Sequence, residues 1–276
     1  MHSTHSDGAL SPRELVRMAC GLGLDAIALT DHDTISGVAE AQSAGAEMGV
    51  RVLPGVEISV EYGSKTVHML GYRISSGAAK LSKGLADIQR GRMERNHKMI
   101  ARLNELGVPI TYDDVEREAG GDVIGRPHFA KALVRLGAVA EFEAFDKYLA
   151  RGAPAYVDRL KFSPEDSIAM IREAGGVAVL AHPKYIIFPP DETLEMLVLR
   201  LKDCGMQGIE CHYSDHTPEE TEEYLALSRR HGLIVTGGSD FHDSVKPDIF
   251  MGTGRGNLRI PTSCADAVER GASRAG

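Results

Sequence analysis

The sequence has no uninterrupted apolar run approaching the roughly 20 residues that cross a bilayer, and its first residues lack the basic-then-apolar layout of a secretory signal. The expected location is the cytoplasm, with no membrane partner. Four cysteines, Cys20, Cys204, Cys211 and Cys264, form neither a Cys-x-x-Cys pair nor the dense spacing of a disulfide scaffold, so they read as reduced thiols. Basic residues form no long run and the formal net charge is -8, which argues against a broad electrostatic footprint for duplex DNA. A small anionic partner held by a few local arginines stays compatible. Internal repeats, low-complexity tracts and long linkers are also missing.

What is present suffices for a folded core: 276 residues with a hydrophobic fraction of 43%. Ser11-Pro12-Arg13-Glu14 is a capping box with proline at the first helical position, and it predicts a helix over residues 12–22. The short apolar run Ala26-Ile27-Ala28-Leu29 then breaks into Thr30-Asp31-His32-Asp33 and a helical stretch over 35–48. This strand-to-helix grammar recurs at Val52-Leu53, at Val177-Ala178-Val179-Leu180 and at Leu233-Ile234-Val235; residues 66–70 and 208–212 add two strand candidates. Helical patterns over 164–173, 193–204 and 218–231 lie between the later strands, the first opening on a second box at Ser163. Alternating strands and helices predict a largely parallel α/β sheet. Residues 76–156 break the rhythm with mostly polar helices over 85–106 and 127–136. They read as a helical insertion forming a small second domain, with residues 1–75 and 157–276 forming the main one.

His32, Glu57, His182, Asp240 and His242 each stand just beyond an apolar strand-like run, and in a parallel barrel they would converge on one rim. His68 differs, lying inside its strand and pointing into the barrel. Imidazoles and carboxylates together suit borderline divalent ions such as zinc, manganese or iron(II), and the absence of cysteine from the set disfavours a structural zinc site. Paired ions would clamp a phosphoryl group with no need of a serine or cysteine nucleophile. Any one of these histidines taken singly is more often structural. Six strand-associated groups together are not easily coincidental, because buried unpaired charge is costly.

The motifs Met1-His2-Ser3-Thr4-His5-Ser6-Asp7-Gly8, Thr30-Asp31-His32-Asp33, Gly55-Val56-Glu57, Thr66-Val67-His68, Ala181-His182-Pro183 and Gly238-Ser239-Asp240-Phe241-His242 resemble, in order and over nearly the whole chain, the PHP (polymerase and histidinol phosphatase) family. The resemblance implies a distorted seven-stranded (β/α) barrel of PHP type with a helical insertion, a trinuclear metal centre and phosphoesterase activity. Carried over, it implies a first subsite of His2, Glu57 and Asp240, a second of Glu57, His68 and His182, and a third of Asp7, His32 and His242. Glu57, Asp240 and His182 are the implied catalytic residues, and two or three divalent ions the cofactors, manganese first with zinc or iron as alternatives. The family usually opens Asp-Leu-His-x-His-Ser, whereas here His2 matches the second histidine and Met1 the variable position. Either codons for the missing residues lie upstream, which is favoured because every other ligand position is matched, or the first subsite lacks one ligand.

Glu94-Arg95-Asn96 and Gly125-Arg126-Pro127-His128 further resemble the branch containing nucleoside 3′,5′-bisphosphate phosphatases and a 5′-to-3′ exoribonuclease of short RNA. The expected partners are then a nucleotide or short RNA. Arg126 and His128 would hold a second phosphate, although Arg126 reads equally as a helix-start surface residue. Lys184 is a weaker phosphate candidate, since exposed lysines are common. Asp31 would either fix an imidazole tautomer or cap the following helix. His97 and His231 read as solvated, and His212 and His216 as rim residues without metal. Two rivals remain: a phosphatase for another small ester such as histidinol phosphate, and a nucleotide-binding accessory module that has lost catalysis.

Overall fold

The structure, a computed structural model, describes residues 1–63, 65–119, 123–140 and 142–273. Its centre is one curled sheet of six strands in sequential order: β1 Ala26–Leu29, β2 Arg51–Tyr62, β3 Lys65–Tyr72, β4 Val177–Leu180, β5 Gly208–Tyr213 and β6 Ile234–Gly238. The pairs β1/β2, β4/β5 and β5/β6 are parallel, but β3 runs antiparallel to both neighbours. The expected largely parallel sheet is thus a mixed one. The cause is the length of β2: the backbone passes through Pro54-Gly55 without breaking, continues to Tyr62 and returns directly as β3. A tight return forces antiparallel pairing, whereas a parallel neighbour needs a crossover of a dozen residues or more.

Alternation along the β2/β3 hairpin separates core from site. Side chains directly opposite share a face, and successive residues switch faces. Ser59 lies opposite His68 and Glu57 opposite Leu70, so these four share the inner face. Val56, Ile58, Val60 and Met69, all fully buried, take the outer face with Ile168 and Ile171 of α6 (Pro164–Glu173). Gly71 lets α6 come this close, because a Cβ there would lie 2.9 Å from Ile171 Cγ1. The helices α7 (Leu194–Asp203) and α8 (Pro218–His231) extend the same outer layer through Leu197, Val198, Leu201, Tyr224 and Leu227.

Six strands stand among the described residues where the family pattern implies seven. The first two residues join the sheet's edges at their carboxyl ends: Thr30 N donates to Met1 O (3.1 Å) and His2 N to Phe241 O (3.0 Å). A cavity of about 280 Å³ is lined by both edges, including Ala26, Ala28, Thr236 and Gly238. The helix α1 (Pro12–Gly21) carries the expected reciprocal Ser11/Glu14 cap, whereas at α6 only the Ser163 half forms. The helix α2 (Val38–Met48) covers the β1/β2 end, and α9 (Ser263–Ser273) packs its Val268 against Val177 and Val179.

Residues 76–156 contain α3 (Ala79–Glu105), α4 (Tyr112–Glu116), α5 (Arg126–Arg135) and a single π turn at Phe145–Leu149. Met99, Leu103, Phe129, Leu133 and Leu149 form an apolar cluster whose buried residues all come from this segment. The first half of α3, by contrast, buries Leu81, Leu85 and Ile88 in the core on the sheet's outer face. The start of α5 is held by His128, whose Nδ1 accepts from Gly125 N (3.0 Å). That acceptor role needs a neutral ring, and burial pushes the His128 pKa down to about 4. An unfolded histidine takes up its proton near 6.5, so this contribution to stability is complete above about pH 6.5 and is lost as pH falls toward 4. Urea titrations should show the wild type losing up to about 3 kcal/mol relative to His128→Gln across that interval; a pH-independent difference would contradict the assignment.

Candidate metal centre

Backbone pairing brings the polar groups together. Beyond Leu29 the chain stays alongside β2, with Glu57 N donating to Asp31 O (3.1 Å) and Asp33 N to Glu57 O (2.9 Å), which sets His32 beside Glu57. Glu57 therefore lies inside β2 rather than beyond a strand end, and its inner-face position aims it at the rim. His182 and Asp240 follow β4 and β6 directly and have φ of 25° and 53°. Left-handed backbone at non-glycine residues costs about 1–3 kcal/mol and is typical of functional sites.

The opening loop is folded around Asp31, which is buried and accepts from Ser3 N (2.6 Å), Ser3 Oγ (2.7 Å) and Ser6 Oγ (2.7 Å). Asp31 thus neither caps α2, whose N-cap Gly37 has no side-chain bond, nor touches an imidazole; it anchors the segment carrying His2 and Asp7. Gly8 closes that loop, since a Cβ there would lie 2.1 Å from His2 O.

All eight ligand candidates meet. His2 Nε2 lies 3.0 Å from Glu57 Oε2 and 3.1 Å from Asp240 Oδ1. His68 Nδ1 is 2.6 Å and His182 Nε2 3.0 Å from Glu57 Oε1. His242 Nε2 is 3.2 Å and His32 Nε2 3.9 Å from the Asp7 carboxylate. Three groups of donors lie within 4.8 Å of one another: His2, Glu57 and Asp240; His32, Glu57 and His68; and His2, Asp7, His32 and His242. The ring of His2 stacks on His242 at 4.2 Å.

The electrostatics are those of a cation site. Burial would raise the pKa values of Glu57, Asp7 and Asp240, yet the surrounding imidazoles hold all three well below the usual carboxylate range. Burial works against protonating His2, but its bonds to Asp240 and Glu57 push it up to about 10; the Glu57 bond likewise lifts His182 to about 9. His32 goes the other way, to about 3, because Glu57 and Asp7 only partly offset burial. Its Nδ1 is buried without a hydrogen-bond partner. An unsatisfied imidazole nitrogen among anionic oxygens fits a divalent ion, and the mixed nitrogen and oxygen donors suit manganese, iron or zinc.

Several residues at the rim were not singled out from sequence. Glu210, inside β5, accepts from His182 N (2.8 Å), and burial pushes it up to about 7. Tyr213 donates its hydroxyl to Asp240 Oδ2 (3.0 Å), and Lys246 Nζ lies 2.6 Å from the same oxygen. An acidic residue in the apolar stretch Gly208-Ile209-Glu210 was a visible signal; Lys246 carried none. On the other side, His128 is buried and senses Asp7, while Arg126 donates Nη1 to Leu149 O (3.2 Å) and lies over Phe145 and Tyr156. Lys184 is not drawn to the cluster: its ammonium binds Asp215 O (2.7 Å) and Glu220 (3.0 Å). His97 is exposed and His231 pairs with Glu195. His216 is buried with Nδ1 bonded to Cys211 O, and His212 is half-buried.

Comparison with known proteins places this arrangement. The model of the PHP domain matches residues 1–115. The 3′,5′-nucleoside bisphosphate phosphatase of Chromobacterium violaceum is 41% identical over 244 residues, 87% of this chain and 85% of that protein. The 5′-3′ exoribonuclease Rnm of Escherichia coli is 34% identical over 245 residues, 87% of this chain and 83% of that one. A Bifidobacterium adolescentis structure described as a metal-dependent phosphoesterase superposes with a TM-score of 0.86 at 33% identity, covering 98% of this chain and 94% of that one.

Asp31 offers a test that changes no ligand. Asp31→Ala removes the acceptor of Ser3 N and Ser3 Oγ and leaves Ser6 Oγ only its longer contacts with Asp7 and His2, and denaturation should show a loss of about 2 kcal/mol or more. Bound metal, measured by mass spectrometry after dialysis, should fall as the loop loosens; a variant with full metal content would remove Asp31 from the account.

Proposed function

We propose, from the premise that this chain belongs to the PHP family and is a metal-dependent phosphoesterase, that its substrate is a nucleotide and that the bond it cleaves is the 3′-phosphate ester of a nucleoside 3′,5′-bisphosphate. The observation that carries this is the set of donor groups sharing Glu57 next to an insertion that presents His128 and Arg126. The likeness to the Chromobacterium violaceum phosphatase supports the choice of substrate. A second reading, stepwise removal of nucleotides from the 5′ end of short RNA, is supported by the likeness to the exoribonuclease.

In this reading the eight ligand candidates would hold two or three divalent ions, manganese first, which would supply Lewis-acid chemistry and charge neutralisation at the phosphoryl group. The assignment gives His2, Glu57 and Asp240 to one position, Glu57, His68 and His182 to the next, and Asp7, His32 and His242 to the third. Glu57, Asp240 and His182 line the place where the ester is cleaved. His128, whose Nδ1 is occupied by Gly125 N, keeps Nε2–H as a donor toward a phosphate oxygen, and Arg126 adds a planar fork. Lys184 reaches the phosphate by releasing Glu220, a half-buried pair worth about 0–1 kcal/mol. For the fold, the reading is the seven-stranded barrel of the family, with residues 76–156 as a cap over the rim.

Manganese-loaded protein should release inorganic phosphate from a nucleoside 3′,5′-bisphosphate faster than from histidinol phosphate, and chelation or His182→Ala should abolish the release. Undiminished release in either case, or preference for histidinol phosphate, defeats the proposal.

A further inference from the structure

The side of the rim formed by β4 and β5 carries an aromatic group that the chemistry of the cluster leaves unused. The left-handed residue His182 opens a single 3-10 turn, Pro183–Tyr185, closed by Tyr185 N donating to His182 O at 3.2 Å. That turn sets the Tyr185 ring beside the His182 imidazole, with centroids 5.8 Å apart, and edge-on to Tyr213 at 6.0 Å and 87°. Tyr213 in turn donates to Asp240, so the tyrosine pair reaches from one ligand candidate to another.

Singly exposed apolar side chains are ordinary, but they are seldom immobilised. Tyr185 is 51% exposed and yet fixed at both ends: its ring lies against His182 and Tyr213, and its hydroxyl donates to Asp215 Oδ2. Asp215 is itself held by Arg255, whose Nε lies 2.7 Å from Oδ1. Ile187, two residues on, is 62% exposed. A rigid aromatic ring with open surface binds a flat partner at little cost in side-chain entropy. Charge limits what that partner is. Carboxylates outnumber cations here, with Asp215, Glu220 and Asp248 against Lys184 and Arg255, so the sector suits an uncharged ring better than a further anion.

We propose that Tyr185 is the platform on which the nucleobase of the substrate stacks. The inference rests on the nucleotide reading of the rim and deepens it: one turn would place the cleaved ester at His182 and the base three residues later. Stacking uses the face that every base presents, so the platform favours nucleotides over small phosphate esters without selecting among bases.

The chain has no tryptophan, so Tyr185→Trp supplies a single fluorophore at the platform. Adenosine 5′-monophosphate, the product of the proposed cleavage, should quench that fluorescence when titrated into the manganese-loaded variant, whereas ribose 5-phosphate should not. No quench by the nucleotide, or an equal one by the sugar phosphate, overturns the platform. In turnover, Tyr185→Ala should lower kcat/KM for adenosine 3′,5′-bisphosphate roughly 5- to 150-fold, mostly through KM, and Tyr185→Phe, which keeps the ring, should recover most of the loss. Ribose 3,5-bisphosphate, with the same phosphates and no base, should lose several-fold less in the alanine variant. Equal losses on the two substrates would mean that Tyr185 only supports His182, and would overturn the proposal. If the wild type turns over neither substrate, the function proposed for the rim fails, and the fluorescence titration still decides the platform.

Discussion

The structure is organised around the carboxylate of Glu57. It is 3% exposed, carries its charge at neutral pH, and is surrounded by His2, His68 and His182 at 3.0 Å or less with His32 at 3.9 Å. A buried carboxylate without partners is very costly, so whatever holds these imidazoles in place also makes the β2 backbone tenable. The partners come from the opening loop, the chain after β1, β3 and the chain after β4. Four separate segments are thus tied to one side chain, which is how a curled sheet without full strand closure keeps its polar rim in register.

Two supporting devices keep that arrangement from depending on the imidazoles alone. Asp31 gathers Ser3 and Ser6 and so fixes the loop bearing His2 and Asp7, while Asp33, on the next strand-like step, is fastened to Ser59 N, to Arg92 of α3 and to Arg159. The alternating residues Asp31 and Asp33 therefore brace the two flanks of His32. Residues 76–156 are coupled to the site through Arg92 as well as through the apolar seam of α3.

Much of this was legible in the sequence because it rests on local patterns. Capping residues and apolar periodicity gave α6 and α8 to the residue, and short apolar runs gave β1 and β4. Seven of the eight ligand candidates fall into close donor groups, with His68 on an inner face and His182 reaching Glu57 from outside them, but only the group of His2, Glu57 and Asp240 has the membership that the motifs imply. What the sequence hid was non-local. Pro54-Gly55 resembled a strand end, so the length of β2 and the reversal of β3 were missed, and with them the mixed sheet. Asp31 looked like a cap or a tautomer-fixing group because its serine partners lie 25 and 28 positions away. The partners of Asp33 were hidden in the same way, since Arg92 and Arg159 lie 59 and 126 positions from it.

The central claim is that the charge of Glu57 is shared between neighbouring cation positions. Its most direct test is the metal content of Glu57→Gln, which keeps the shape of the side chain and removes the charge, measured after equilibration with manganese and dialysis. The account predicts more than one tightly held equivalent in the wild type and the loss of at least two positions together in the variant. A variant that keeps the wild-type complement, or loses a single equivalent while the others stay tight, would contradict it.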